Sequence, residues 1–208
     1  MNLSSHLIWT AFFSALWCLG HSVFITHTVR DHVRAFFPRY HVFDRIIYVI
    51  FSTASLGLLF IWQRTLPQTV LWDWPGWWRW VRWAGLAETG LLFWLGARGY
   101  NGHSFLGLTQ IRDFAAGYKP PEPSFSTAGI LGIIRHPWYT GTFLFVAFCL
   151  PVTDVNLVWR LVFVIYVLIG TELEERKLLR EMGETYAAYQ REVPRFFPNP
   201  FRRQRHRL

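Results

Sequence analysis

Several apolar segments in this chain are long enough to cross a lipid bilayer as helices. Residues 7–25, 42–62 and 78–96 each come close to the roughly 20 residues that a helix needs to span the hydrocarbon core. Charged residues make up 16% of the 208 positions, whereas an ordinary soluble domain has about 25%. We therefore predict an all-α fold, a polytopic integral membrane helical bundle.

The number of transmembrane helices depends on two shorter apolar segments. Residues 138–151 and 157–169 form either a tight hairpin that does not fully cross or two complete spans. The second interpretation gives about five transmembrane helices. The first apolar segment is expected to stay as a span rather than be removed as a signal peptide, because no basic region precedes it and no small-residue cleavage site follows.

The segment after residue 172 has helical periodicity. Leu178, Met182 and Tyr186 recur at a spacing of four residues, which predicts a cytoplasmic C-terminal amphipathic helix that ends before Pro194. The polar segment 98–135 is different, because its Pro-rich centre forbids a continuous helix. We expect a structured or disordered loop there.

Basic residues cluster beside the apolar spans. Nine of the 21 Lys and Arg residues lie from Arg176 onward, and four lie in each of the segments 30–45 and 98–135. Such clusters mark cytoplasmic flanks, so we predict an N-terminus outside and a C-terminus in the cytoplasm, in the inner membrane of a bacterium. Membrane lipids are the expected partners of this charge. No element that would read bases accompanies it, so nucleic acid is not expected.

Composition excludes several classes of protein. A chain with 52% hydrophobic and 19% aromatic residues is neither disordered nor a coiled coil. The two cysteines, Cys18 and Cys149, lie in apolar stretches and give no disulfide framework. The N-terminal histidines do not have the helical spacing that a metal site wants, so no metal is predicted.

The point where the polar loop meets the fourth apolar segment carries the first candidate site. Pro137 suits the first turn of a helix, and the free N–H groups after it attract anions. Arg135 and His136 add donors, and Tyr139 stands within the first turn. The alternative is a basic membrane flank followed by a helix-starting proline.

Acidic residues at the end of the fifth apolar segment form a second candidate site. Glu172, Glu174 and Glu175 come where a helix leaves the bilayer, although the C-terminal dipole disfavours acids. The cluster indicates a ligand with positive charge or sugar hydroxyls, or else a solvated surface that pairs with Arg176 and Lys177. Glu88 lies inside the third span and is a further functional candidate, because charge there is costly. It either contacts a ligand or bonds a neighbouring helix.

Three ordered motifs in residues 105–198 resemble the isoprenylcysteine carboxyl methyltransferase family of membrane methyltransferases. They are His136-Pro137-x-Tyr139-x-Gly141, Glu174-Glu175-x-x-Leu178 and Gly183-x-x-Tyr186-x-x-Tyr189-x-x-x-Val193-Pro194-Arg195. The N-terminal half is similar to the bacterial branch that contains methanethiol S-methyltransferases, through Gly20-His21-Ser22, Tyr48 and Ser104-Phe105-Leu106-Gly107-Leu108-x-Gln110.

This resemblance implies a methyltransferase that uses S-adenosyl-L-methionine as its cofactor. It divides a single membrane domain, 1–208, into a three-helix part, 1–97, and a cofactor-binding part, 98–208. The residues that it assigns to the cofactor are Ser124, Phe125, Ser126, Leu131, His136, Pro137, Tyr139, Glu174 and Glu175. Leu131 stands where several members of the family carry Tyr.

The resemblance also bears on the methyl acceptor. Gly170 stands where eukaryotic members carry the Arg that holds a prenylcysteine carboxylate, which favours a small or lipophilic thiol. A thiol must ionise before it attacks, so Arg135 and Arg195 are predicted to assist catalysis. His103, Gln110 and Glu88 are predicted to contact the acceptor. Methylation of a prenylcysteine-like carboxylate or a lipid amine, or a non-catalytic membrane scaffold, are the alternatives.

Overall fold

The computed structural model describes residues 3–36, 43–98, 106–117 and 127–198, and most of these residues are helical. The first five elements are α1 Leu3–Ile25, α2 His27–Phe36, α3 Asp44–Arg64, β1 Val70–Trp72 and α4 Trp78–Arg98. The next three are α5 Leu108–Ala115, a 3-10 helix Gly129–Gly132 and α6 Pro137–Phe148. The last three are β2 Val152–Thr153, α7 Asp154–Met182 and α8 Glu184–Glu192.

Three of the described helices, α1, α3 and α7, are long and apolar enough to cross a membrane. Large apolar side chains on them face outward, as Ile8 and Ile61 do, and this suits helices surrounded by lipid. The predicted helical membrane fold is confirmed to this extent. The count of five spans stays a prediction, since the 12 residues of α6 rise only about 18 Å.

The structure corrects the sequence analysis between the fourth and fifth apolar segments. Val152 and Thr153 form a strand that pairs antiparallel with β1, so the fold is not purely α-helical. Asp154 then starts α7, and its carboxylate accepts hydrogen bonds from the backbone N–H of Thr69 at 2.9 Å and of Val155 at 2.8 Å. Thr153 caps the helix, because its Oγ1 accepts from the backbone N–H of Asn156 at 3.1 Å and Asn156 Oδ1 accepts from the backbone N–H of Thr153 at 3.0 Å. The short sheet and this cap set the first turn of α7.

The polar stretches also differ from their predictions. The loop 98–135 contains α5 and the 3-10 helix, neither of which was predicted. Helix α7 continues without a break to Met182, and Gly183 then adopts a positive φ of 56° before α8 begins. The helical pattern after residue 172 is therefore divided between two helices. A cytoplasmic C-terminal amphipathic helix stays a prediction.

The elements form two units. One contains α1, α2, α3, both strands, α5 and the first part of α7, and the other contains α4, the 3-10 helix, α6, the rest of α7 and α8. Contacts thus group α4 with the C-terminal elements, whereas the sequence analysis placed it in the N-terminal part. In the second unit, Tyr186, Tyr189 and Val193 form a buried cluster packed on the end of α7. Burial raises the pKa of Tyr186 to about 12, so its phenol stays protonated.

Glycines let α4 and α6 approach closely. A Cβ added to Gly96 would lie 2.0 Å from the indole of Trp138, and one added to Gly85 would lie 2.2 Å from the ring of Phe148. Small residues at a helix contact permit this packing in membranes. Trp138 follows Pro137 directly, so the contact at Gly96 also sets where α6 begins.

We expect Gly96→Ala to lower the free energy of unfolding by about 1–3 kcal/mol, because the added methyl group overlaps a rigid ring. Gly90→Ala is the matched control on the same helix, since its Cβ would meet no atom within 4 Å. It should leave stability unchanged or raise it by up to about 1 kcal/mol. Thermal unfolding in detergent measures both, and equal effects would contradict the packing argument.

Candidate active site

The start of α6 is held by the chain segment that follows α8. The backbone N–H of Arg135 donates to the carbonyl of Pro194 at 2.9 Å, and that of His136 donates to the carbonyl of Arg195 at 3.1 Å. Pro137 then begins α6, as its fixed φ favours. This pairing brings the side chains of Arg135 and His136 close to that of Arg195.

A buried carboxylate joins these side chains. Glu175 on α7 has a side chain only 2% exposed, and its Oε1 accepts from Arg135 Nε at 2.8 Å. His136 Nε2 lies 3.0 Å from the same oxygen. Oε2 accepts from Gln190 Nε2 at 2.9 Å and from Arg195 Nη2 at 2.5 Å. Four donors from three segments of the chain therefore converge on one carboxylate, and charge-assisted bonds of this kind are strong.

The Arg135 guanidinium is buried within this network. Its side chain is 8% exposed, and its Nη1 donates to the carbonyls of Gln190 at 2.9 Å and Val193 at 2.5 Å. Besides neutralising Glu175, Arg135 thus fixes the end of α8 against the start of α6.

His136 is neutral in this setting. Burial lowers the pKa of its imidazole, and the nearby charges of Glu174 and Glu175 offset this only in part. A neutral ring can carry its single proton on Nε2, which then donates to Glu175. The His136 ring also stacks on the ring of Tyr139, with 5.3 Å between the ring centroids.

Polar groups beside this network face solvent. The Glu174 side chain is 44% exposed and accepts a hydrogen bond from the Tyr139 hydroxyl at 2.7 Å. Arg195 is 37% exposed and Glu172 is 43% exposed, with 3.1 Å between Nη2 and Oε2. The neighbours Glu174 and Glu175 therefore differ in environment, because Glu174 is accessible to a ligand and Glu175 is buried.

The charge of Arg195 is secured by its neighbours. Burial lowers the pKa of its guanidinium, but the hydrogen bonds and charges of Glu175 and Glu172 raise it more, so the pKa lies above its ordinary value. A permanent cation therefore stands at the solvent-facing side of the site.

Curated proteins of one activity match almost the whole chain. A methanethiol S-methyltransferase of Pseudomonas deceptionensis is 32% identical over 88% of this chain and 70% of its own length. Methanethiol S-methyltransferase 2 of Bradyrhizobium diazoefficiens is 30% identical over 98% of this chain and 78% of its own length. The chain belongs to the methanethiol S-methyltransferase family. No protein-family model matches it, and no solved structure does.

Family membership confirms the predicted resemblance to the bacterial branch. The structure brings together six of the predicted site residues. They are Arg135, His136, Tyr139, Glu174, Glu175 and Arg195. Their roles in binding and catalysis stay predictions.

The other predicted site residues have different positions. Pro137 is the buried first residue of α6, and the carbonyl of Leu131 accepts a 2.6 Å hydrogen bond from the Tyr189 hydroxyl. Glu88 is exposed on α4 and flanks the helix face that carries the buried Gly85, Thr89, Leu92 and Gly96. Gln110 lies on α5, and nothing is described of its side chain. His103, Ser124, Phe125 and Ser126 lie outside the described residues.

Sequence reasoning missed Gln190, which contributes both its side-chain amide and its carbonyl to the network. No motif marks it, because it stands 15 residues after Glu175 on another helix. Among the described residues, no group of three or more His, Cys, Asp or Glu side chains could hold a metal ion.

Proposed function

We propose that this chain transfers a methyl group from S-adenosyl-L-methionine to a small thiol at a membrane, with methanethiol as the first candidate. The similarity to methanethiol S-methyltransferases over 88% and 98% of the chain supports the reaction. The structural observation that carries the proposal is the exposed Glu174 carboxylate, bonded to Tyr139 above the Glu175 network.

The chemistry of these groups fits the methyl donor. The donor has an ammonium group and ribose hydroxyls, and the Glu174 carboxylate is an acceptor that either could reach. Tyr139 and His136 would line the pocket with their stacked rings. Leu131, Pro137 and residues 124–126 would complete its wall. Glu175 would act differently, as the residue that positions Arg135, His136 and Arg195.

The reaction requires the protein to align the two reactants and to place a positive charge near the acceptor thiol. When bound, S-adenosyl-L-methionine supplies a methyl group that its positive sulfur already activates. The acceptor thiol gives up its proton, its sulfur forms a bond to the methyl carbon, and the bond from that carbon to the sulfonium breaks. A methyl thioether, S-adenosylhomocysteine and one proton result.

Arg195 is better suited than Arg135 to stabilise an acceptor thiolate. Its guanidinium is 37% exposed, against 8% for Arg135. A cation near a thiol lowers the thiol pKa, and Arg195 stays charged because Glu175 and Glu172 raise its own pKa. We assign Arg135 to positioning, since its donors already serve Glu175 and two backbone carbonyls.

Arg195→Leu should slow methyl transfer by about tenfold at pH 7 and much less at pH 9. The acceptor for this test is a thiol with the pKa of about 8.5 of a free cysteine, because most of it is already ionised at pH 9 without help from a cation. Transfer rates measured from pH 6.5 to 9.5 test this. Arg191→Leu is the control, because Arg191 is 63% exposed and its side chain pairs with the exposed Glu184. An equal loss at both pH values would assign Arg195 to positioning alone.

We place the protein in the inner membrane of a bacterium, with the N-terminus outside and the C-terminus in the cytoplasm. The basic clusters that flank the spans support this orientation. Cysteine labelling with a reagent that cannot cross the membrane, applied to intact cells and to opened cells, would test it.

The deciding experiment uses purified protein in detergent with methyl-labelled S-adenosyl-L-methionine and a panel of acceptors. The panel contains methanethiol, longer thiols, lipid amines and prenylcysteine analogues. Label in methyl thioethers, lost in Glu174→Ala and kept in Glu181→Ala on the same helix, is the expected result. Label in amines or carboxylates would instead support the other acceptors. Absence of both transfer and donor binding would leave a non-catalytic scaffold.

A further inference from the structure

A cavity of about 470 Å³ lies between α1 and α3, within the N-terminal unit. Its size falls in the range of small-molecule sites, about 300–1,000 Å³. The apolar part of its wall is formed by Phe13, Leu16, Trp17, Phe51, Leu59 and Trp62. Its lining residues include no Asp, Glu, Lys or Arg, and His21 has the one imidazole among them.

One end of this cavity is polar. His21 lines it together with Ser52 and Ser55. His21 Nδ1 lies 3.1 Å from Ser52 Oγ, and His21 Nε2 lies 2.8 Å from the Tyr48 hydroxyl. Ser55 Oγ accepts from Trp17 Nε1 at 3.0 Å. A hydroxyl has one donor and two acceptor positions, so the Ser52 hydroxyl can bond a ligand in addition to His21.

The cavity runs along the lengths of α1 and α3. His21 lies four residues before the end of α1, whereas Phe13 lies a further eight residues inward, a rise of about 12 Å. On α3, Ser52 lies eight residues after Asp44, near the middle of the helix, and Trp62 lies two residues before its end at Arg64. The polar end therefore lies beside the last turns of α1 and the middle of α3, and the apolar part extends along the two helices to the end of α3.

We propose that this cavity binds a single-chain amphiphile with a neutral hydroxyl or thiol head. The head would bond the Ser52 hydroxyl beside His21, and the chain would lie between the aromatic walls. A charged head is disfavoured because no Asp, Glu, Lys or Arg lines the cavity and desolvating an ion is costly. This inference goes beyond the proposed function and does not depend on it, because binding is measured without a methyl donor.

Photochemical labelling in phosphatidylcholine nanodiscs tests the proposal. The probe is a long-chain alcohol that carries a diazirine in its chain, and the labelled peptides are mapped by mass spectrometry. We expect label on α1 and α3. Dodecanol and dodecanethiol should compete roughly three- to tenfold better than dodecane, because one hydrogen bond to the head is at stake.

Two glycines provide matched variants. Gly20 lines the cavity and Gly57 does not, and a Cβ at either position meets no atom within 4 Å. Gly20→Leu should reduce labelling at least about fivefold, and Gly57→Leu should not. Ser52→Ala should remove the advantage of dodecanol over dodecane. Labelling that is unaffected by Gly20→Leu, or competition by dodecane as strong as by dodecanol in the unaltered protein, would overturn the proposal. Thermal unfolding of each variant confirms that it is folded.

Discussion

Replacing Glu175 by leucine is expected to lower the free energy of unfolding by about 3–5 kcal/mol, the usual cost of breaking a buried ion pair from one side. The carboxylate is 2% exposed and neutralises Arg135, which is 8% exposed. Without it, the Arg135 guanidinium stays buried with no carboxylate, and the donors of His136, Gln190 and Arg195 lose their common acceptor. Denaturant unfolding in detergent, followed by tryptophan fluorescence, measures the loss.

Two further variants make this expectation specific. Glu181→Leu, on the same helix, removes an exposed carboxylate that lies 3.6 Å from Lys177, so it should change stability by no more than about 0.5 kcal/mol. Adding Arg135→Leu to Glu175→Leu should recover part of the loss, because the buried cation is removed as well. A Glu175→Leu protein that unfolds at the same denaturant concentration as the unaltered protein would refute a structural role for the network.

The neighbouring substitution should have the opposite profile. Glu174→Gln is expected to weaken binding of S-adenosyl-L-methionine by about 10–150-fold, the equivalent of one lost hydrogen bond to a charged group. Stability should hardly change, because the Glu174 side chain is 44% exposed and lies outside the buried network. Calorimetric titration with the donor gives the affinity, and the unfolding assay gives the stability.

Tyr139→Phe refines this second prediction. It removes the 2.7 Å hydrogen bond that orients Glu174 but keeps the ring that stacks on His136. We expect a smaller loss of affinity, about 2–10-fold. If both variants bind the donor as the unaltered protein does, Glu174 is not a donor ligand and the proposed pocket is wrong.

The sequence predicted the start of α6 well because the signal is local. A proline at the first helical position needs no long-range partner to act, and Pro137 is indeed the first residue of the helix. The different environments of Glu174 and Glu175 could not be predicted in the same way. Adjacent residues on a helix point about 100° apart, and burial of one is decided by Arg135 and Gln190, which come from distant positions.

The sheet was beyond sequence reasoning for a similar reason. Strand β1 has three residues and β2 has two, too few for an alternating pattern to emerge. Their pairing joins Val70 with Thr153 across a long stretch of chain. Thr153 also caps α7 through its hydroxyl, so the pairing with Val70 positions the start of that helix.

The length of α7 determines where two unlike reactants would meet. Glu174 stands 20 residues after Asp154, from 174 minus 154, and this corresponds to a rise of about 30 Å. The hydrocarbon layer of a bilayer is also about 30 Å thick. A helix that enters this layer at Asp154 therefore reaches the opposite phase boundary at Glu174. There a charged donor can stay in water while a thiol that partitions into the hydrocarbon layer reaches it. Neither reactant then has to be transferred from its own phase into the other.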